Sequence, residues 1–322
     1  MADVVSRLGL GTSPLGNLYA EVTEREARAV VDAAWETGVR IFDTAPHYGL
    51  GLAERRLGAA LRERPRDEFL LSTKVGRLLV PDPGGRGLDP EGFAVPATQR
   101  RVWDFSAEGV RRSLESSLDR LGLDRVDVVH LHDPDDHWDQ AVHEALPALV
   151  ELRRQGVISR IGIGMNQWQM LARFVLESGS DTVDTILLAG RYTLLEQPAL
   201  AELLPLCARL GVEVVAAGLF NSGLLAMQEV PASATYDYRT APAAVVDRAR
   251  RIAAICARHG TTLPAAALWF PFGHPAVTGA LIGARTEAEI RANVAVFATP
   301  VPAALWAELR DARLIEVGVP TP

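Results

Sequence analysis

Residues 8–14 read Leu8-Gly9-Leu10-Gly11-Thr12-Ser13-Pro14. A short apolar strand candidate, Leu8–Leu10, runs into a turn that ends on proline. An open, doubly wound dinucleotide-binding sheet usually follows its first strand with G-x-G-x-x-G, whose glycines let backbone approach a pyrophosphate. That spacing does not follow here, so the strand–helix alternation further along the chain closes differently. Moving outward, Glu24 to Thr37 puts Ala27, Val30, Val31 and Ala34 on one helical face. Thr23-x-x-Glu26 reads as a capping box at its start, and Gly38 as its stop. Further strand candidates are Arg40–Asp43, Leu70–Lys74, Val126–His132, Arg160–Ile163, Thr182–Leu188, Val212–Ala216 and Val277–Ile282. Helical patterns lie near Ala53–Arg62, Ala107–Leu121, Asp139–Gln155, Gln167–Glu177, Pro198–Leu210, Ala243–His259 and Glu287–Phe297. Eight strand-to-helix units predict an α/β chain closed as a (β/α)8 TIM barrel, one domain over residues 1–322.

Two stretches break the rhythm. Val75–Asp104 is rich in Gly and Pro and carries Arg77, Arg86, Phe93, Arg100, Arg101 and Trp103; Leu219–Pro242 carries Phe220, Asn221, Tyr236 and Tyr238. Both follow strands. With the tail 298–322 they are expected to lie over the C-terminal face of the barrel, where barrel chemistry belongs. No apolar run is long enough for a membrane span. The N-terminal residues Met1 to Arg7 do not read as a signal peptide. The net charge of −7 argues against nucleic acid and anionic membrane as partners. Cys207 and Cys256 are expected to be buried free thiols in a cytoplasmic protein. Nothing in the sequence speaks to oligomeric state.

Polar residues gather at the strand ends: Asp43 with Tyr48 after the second strand, Lys74 on the third, His130-Leu131-His132-Asp133 on the fourth, and Asn166 after the fifth. In a barrel these ends surround one pocket. A phenol moves protons poorly at neutral pH, and a neighbouring ammonium stabilises its phenolate. A carboxylate can hold that ammonium, and a neutral imidazole can polarise a substrate oxygen. His130 and His132 share one strand face. His-x-His followed by Asp133, Asp135, Asp136 and His137 also suits a metal-dependent barrel hydrolase, a rival reading.

The run from Gly38 through Asp43-Thr44-Ala45-Pro46-His47-Tyr48-Gly49, with Ser72-Thr73-Lys74, Arg120-Leu121-Gly122-Leu123-Asp124-Arg125-Val126-Asp127 and Gly156-Val157-Ile158, resembles the aldo-keto reductases over nearly the whole chain. The resemblance implies a metal-free catalytic tetrad of Asp43, Tyr48, Lys74 and His132; His130, on the same strand face, then reads as an interior, hydrogen-bonded histidine. It implies a nicotinamide cofactor held by Asn166, Gly218, Gly283, Arg285, Glu289 and Asn293. Where relatives that use NADPH carry a lysine and an arginine, this chain has Gly283 and Glu289, which favours NAD, with NADP the alternative. The family's aromatic residue after the seventh strand and its glutamine on the sixth are replaced near Ala216-Ala217-Gly218 and Ala189.

Ala45–Gly51, His132–His137, Ala189–Leu195 and Phe220–Gly223 resemble the branch that holds the L-fucose, D-threo-aldose and pyridoxal dehydrogenases. This implies oxidation of an aldose at its anomeric carbon to a lactone, with a sugar or aldehyde in a pocket formed by His47, Arg101, Trp103 and Asn221. The alternatives are oxidation of pyridoxal and broad aldehyde reduction with NADPH.

Overall fold

The computed structural model describes residues 5–322 apart from 180 and 238. Eight parallel strands close into a barrel: β1 (Leu8–Gly11), β2 (Ile41–Asp43), β3 (Leu70–Val75), β4 (Val128–His132), β5 (Arg160–Met165), β6 (Thr185–Ala189), β7 (Glu213–Ala217) and β8 (Val277–Ile282). Each pairs with its neighbours in sequence, and β8 returns to β1. A parallel strand is covered by helices outside and by its partners inside, so it reads as a nearly unbroken buried run. In β4 every residue is buried, the two histidines included.

Helices α1 (Glu24–Glu36), α2 (Leu52–Leu61), α3 (Ala107–Leu121), α4 (Leu146–Arg154), α5 (Trp168–Ser178), α6 (Leu203–Leu210), α7 (Ala243–Arg258), α8 (Leu263–Trp269), α9 (Glu287–Phe297) and α10 (Ala303–Asp311) surround it. The box at α1 forms as its spacing predicts: Glu26 N–H donates to Thr23 Oγ1, and Thr23 N–H to Glu26 Oε2 at 2.8 Å. The expected helix 139–155 is divided. A π turn over Ala141–Ala145 precedes α4, whose second residue is Pro147. Proline has no N–H for the fourth carbonyl behind it and crowds that carbonyl, and a wider turn accommodates both. The expected helix 198–210 likewise begins as a separate 3₁₀ turn over Pro198–Leu200. Helices α8 and α10 have no counterpart in the sequence reading.

The sequence motifs have structural work of their own. Buried Glu54 accepts from Arg120 Nε at 2.5 Å and from Thr73 Oγ1 at 2.9 Å, joining α2, α3 and β3. Asp127 accepts from Arg66 and from Leu71 N–H, both at 2.7 Å, fixing β4 beside β3. The turn after β1 lies against the turn that carries Tyr48. A Cβ on Gly16 would stand 2.7 Å from the Tyr48 carbonyl carbon, and one on Gly49, at φ +63°, 2.2 Å from the Gly16 oxygen.

The stretch 75–104 is not structureless. Arg77–Pro81 and Gln99–Trp103 pair as an antiparallel hairpin, and a bridge between Leu18 and Phe93 ties its far end to the β1 loop. The stretch 219–242 contains a two-residue hairpin, Thr235–Tyr236 with Arg239–Thr240; Tyr238 falls outside the described residues. The tail departs from expectation. Trp306 packs on Phe270, Leu314 O accepts from Arg248 and Pro320 lies against Gly273, so the tail follows the outer wall and lines neither cavity described below. Leu305, Trp306 and Leu309 are the face that α10 turns to that wall, and Leu314 is buried just beyond the helix. Cys207 and Cys256 are buried free thiols, and burial pushes both up to about 12. Among the described residues no helix is long and apolar enough to cross a membrane.

Candidate active site

The C-terminal ends of β2, β3 and β4 deliver Asp43, Lys74 and His132 to one point, and the turn after β2 adds Tyr48. Lys74 is buried on a strand interior face; its Nζ donates to Asp43 Oδ2 at 2.6 Å and to Thr44 O at 2.9 Å. Ser72 Oγ donates to the other Asp43 oxygen at 2.7 Å. The ammonium lies 4.9 Å from the Tyr48 ring centre, and the His132 ring centre is 6.0 Å from that of Tyr48. A cavity of about 520 Å³ opens on Tyr48, Lys74 and His132 and is lined also by His47, Phe93, Asp133, Met165 and Asn166.

Burial works against the Lys74 charge, but Asp43 and then Tyr48 outweigh it, so its pKa lies above the ordinary lysine range. The Tyr48 phenol departs from the expected direction. Burial, helped by Asp43, raises its pKa, and the charge and hydrogen bond of Lys74 offset only part of that rise. Removing a phenolate from water costs more here than one ammonium returns while that ammonium is shared with a carboxylate. Burial, with Arg77 and Lys74, holds His132 well below the usual histidine range, so the ring is neutral. Its Nδ1 is buried with no partner. Burial and the nearby Arg77, Arg101 and Lys74 hold His47 at about 2.

Among the candidate substrate residues, only His47 lines this cavity. Arg101 forms a buried ion pair with Asp89 at 2.6 Å and donates to His47 O at 2.8 Å, so it braces the wall instead of facing the cavity. Trp103 stacks on Phe105 and faces a neighbouring recess with Asp135 and His137. Asn221 lies in a separate groove. The strand ends alone did not reveal Phe93, nor the ion pair of Arg77 with Asp133 beside His47. The signal for that pair was a basic residue just after β3 and an acidic one just after β4, neighbouring strands.

That second groove, about 710 Å³, runs from Gly218–Gly223 past Ile282–Arg285 to Glu289. It meets the first cavity at Leu18 and Tyr19, which line both. Asn221 Oδ1 and Arg285 Nε are buried there without partners, and the Pro14 ring, 2.8 Å from where a Cβ on Gly283 would stand, crowds any side chain at that position. Thr286 Oγ1 caps Glu289 N–H at 3.2 Å, but Glu289 returns its carboxylate to Arg285 N–H at 2.7 Å, not to Thr286. Asn166 donates to Ala189 O at 2.9 Å and keeps its own oxygen for another donor. Gly218, at φ +66°, passes close to Gly190. Asn293 is half-buried one turn past Glu289 and does not line the groove. Among the described residues no group of three His, Cys, Asp or Glu side chains is placed to hold a metal.

Residues 7–313 match the profile of the "Aldo/keto reductase family". The chain is 49% identical to D-threo-aldose 1-dehydrogenase of Pseudomonas sp, covering 99% of this chain and 96% of that protein. It is 41% identical to pyridoxal 4-dehydrogenase of Microbacterium luteolum, covering 97% and 95%. Among solved structures, the holo form of aldo-keto reductase AKR11C1 from Bacillus halodurans superposes with a TM-score of 0.73 at 26% identity, covering 97% and 93%.

Proposed function

The chain belongs to the aldo/keto reductase family, and from that premise we propose that it oxidises the anomeric carbon of an aldose, of the D-threo type that includes L-fucose, to a lactone with NAD. The observation that carries this reading is that Tyr48, Lys74 and neutral His132 line one cavity with His47, Asp133 and Asn166, while Asp43 holds Lys74 from behind. The substrate class follows the relative with which the chain shares 49% of its residues.

The residues of the second groove fit a dinucleotide: two of those lining it, Asn221 and Arg285, carry a buried polar atom with no partner, and the start of α9 offers free N–H groups and a favourable dipole to phosphate. Gly218, Gly283 and Arg285 would hold it, with Asn166 at the ring end; bound there, an oxidised nicotinamide supplies the hydride acceptor. Tyr48, as phenolate, takes the proton of the lactol hydroxyl as C1 loses hydride. Lys74 stabilises that phenolate, and Asp43 keeps Lys74 charged and fixed. His132, uncharged, orients the substrate oxygen. Phe93 and Met165 give the cavity an apolar side against a sugar's C–H faces. Two buried reduced thiols and a negative net charge support a cytoplasmic protein without nucleic-acid partners.

A screen of L-fucose and other aldoses, pyridoxal and simple aldehydes, each with NAD and with NADP, tests the reading. The expected result is NADH formation with an aldose and a lactone product. Turnover of pyridoxal alone, or aldehyde reduction with NADPH alone, would replace it with the corresponding alternative.

A further inference from the structure

Of the three histidines around the tetrad, His47 alone has a ring nitrogen hydrogen-bonded within the described residues; His130, expected to be bonded, has an unpartnered, buried Nδ1. The partner of His47 is Arg77, whose Nη1 lies 3.2 Å from His47 Nδ1. A guanidinium only donates, so Nδ1 accepts. The ring is neutral, held at about 2 by burial and then by Arg77, so its one proton sits on Nε2. Phe93 meets the ring edge-on at 5.1 Å, and Arg101 holds the His47 carbonyl at 2.8 Å, which leaves the ring little freedom. His47 lines the substrate cavity, and its Nε2 has no partner among the described residues.

The other terminal nitrogen of Arg77 pairs with Asp133 Oδ2, and the guanidinium lies over the Trp103 ring, 4.3 Å from its centre. Asp133 follows His132 at φ +46°, a left-handed turn that aspartate tolerates better than most residues. Its Oδ2 lies 3.6 Å from His132 Nε2, the nitrogen left to the cavity because Nδ1 is buried. That is too long for a hydrogen bond. Asp133 Oδ1 has no partner among the described residues, and Asp133 lines the same cavity as His47. Burial raises the Asp133 pKa and Arg77 works against the rise, favouring the carboxylate.

We propose that Arg77 is a positioning residue for substrate choice: it holds the His47 Nε2–H and the Asp133 carboxylate as a donor and an acceptor for one hydroxyl, that on the carbon next to the reacting C1. The inference rests on the dehydrogenase reading above. A hydroxyl both donates and accepts, so it satisfies the two groups together; a ring oxygen or a carbonyl only accepts. Distance sets the position, because a carboxylate 3.6 Å from the nitrogen that orients the C1 oxygen stands beside the next oxygen along the sugar. An analogue without that hydroxyl leaves both groups unpaired, which is how a polar site rejects a near-isostere.

The test compares the best aldose of the screen above, L-fucose in the expected case, with its 2-deoxy analogue, using NAD and the full-length enzyme. In the wild type kcat/KM should be about 10–100-fold higher for the aldose, the range for a hydrogen bond to a charged group. Arg77→Met, Asp133→Asn and His47→Phe, which keeps a ring beside Phe93, should each bring that ratio down toward one. The loss should fall on KM, because the contact exists before as well as during hydride transfer. Arg77→Lys supplies a charge for Asp133 but no second arm for His47, so it should restore part of the ratio. NAD titration shows which variants are folded; if Arg77→Met is not, the wild-type ratio and His47→Phe decide. A wild-type ratio near one overturns the proposal, as do folded variants in which both substrates weaken alike, the mark of a merely structural ion pair. Absence of NADH from every aldose in the wild type overturns the dehydrogenase reading instead.

Discussion

Replacing Lys74 with methionine separates what the buried ion pair does for the fold from what it does for the reaction. Lys74 and Asp43 are both almost fully buried, 2.6 Å apart. At that distance and an effective dielectric near 20, their gross attraction is about 6 kcal/mol. Desolvation consumes much of this, so the pair itself contributes little net stability. Breaking it is different. Methionine fills the volume but leaves the Asp43 carboxylate buried with Ser72 alone, and such uncompensated charges cost about 3–5 kcal/mol. Lys74→Met/Asp43→Asn removes that charge and should recover most of the loss. Turnover should fall by roughly 10²–10⁴-fold in both variants, because Tyr48 loses the cation that favours its phenolate. Denaturant midpoints, paired with stopped-flow NADH formation, measure both effects. A single variant that loses less than about 1 kcal/mol, or a double variant that regains turnover, would refute the argument.

Tyr48→Phe keeps the ring and removes the transferable proton, so turnover should drop roughly 10²–10⁴-fold while cofactor titration is unchanged; near wild-type turnover would dismiss Tyr48 as the acid/base. Because burial raises the phenol's pKa and lowers that of His132, the rate of aldose oxidation should climb with pH through neutrality into the alkaline range, with no His132 ionisation limiting it, and a rate that falls above neutrality contradicts this. Glu289→Gln still accepts from Arg285 N–H but loses the charge, so NADP should gain about 1 kcal/mol, several-fold in binding, relative to NAD; an unchanged ratio would leave Glu289 as a cap alone.

Most of the barrel could be read from the chain because parallel strands buried on both sides are short apolar runs, and because the tetrad lies where those runs end. Thr23 and Glu26 announced their cap in the same way. What could not be read depended on contacts between distant residues. The Arg77–Trp103 hairpin pairs the short run Leu78-Leu79-Val80 with Gln99-Arg100-Arg101, neither of them alternating, and its ends are anchored at Asp104 and Asp133. Arg101 resembled a ligand-binding residue until Asp89, twelve positions earlier, proved to be its partner. The Tyr48 pKa went the other way because burial is set by the whole wall of the cavity, not by Lys74.

The contact of Gly16 with the turn at Tyr48 and Gly49 bears on how a lineage of such chains can change. Backbone meets backbone there, so neither glycine can acquire even a methyl group without moving the general base. Inheritance of new specificity is therefore channelled elsewhere, into the hairpin beyond Arg77 and the segment after β7. Those segments border the two cavities, and their side chains can be exchanged piecemeal while the proton-handling apparatus descends intact.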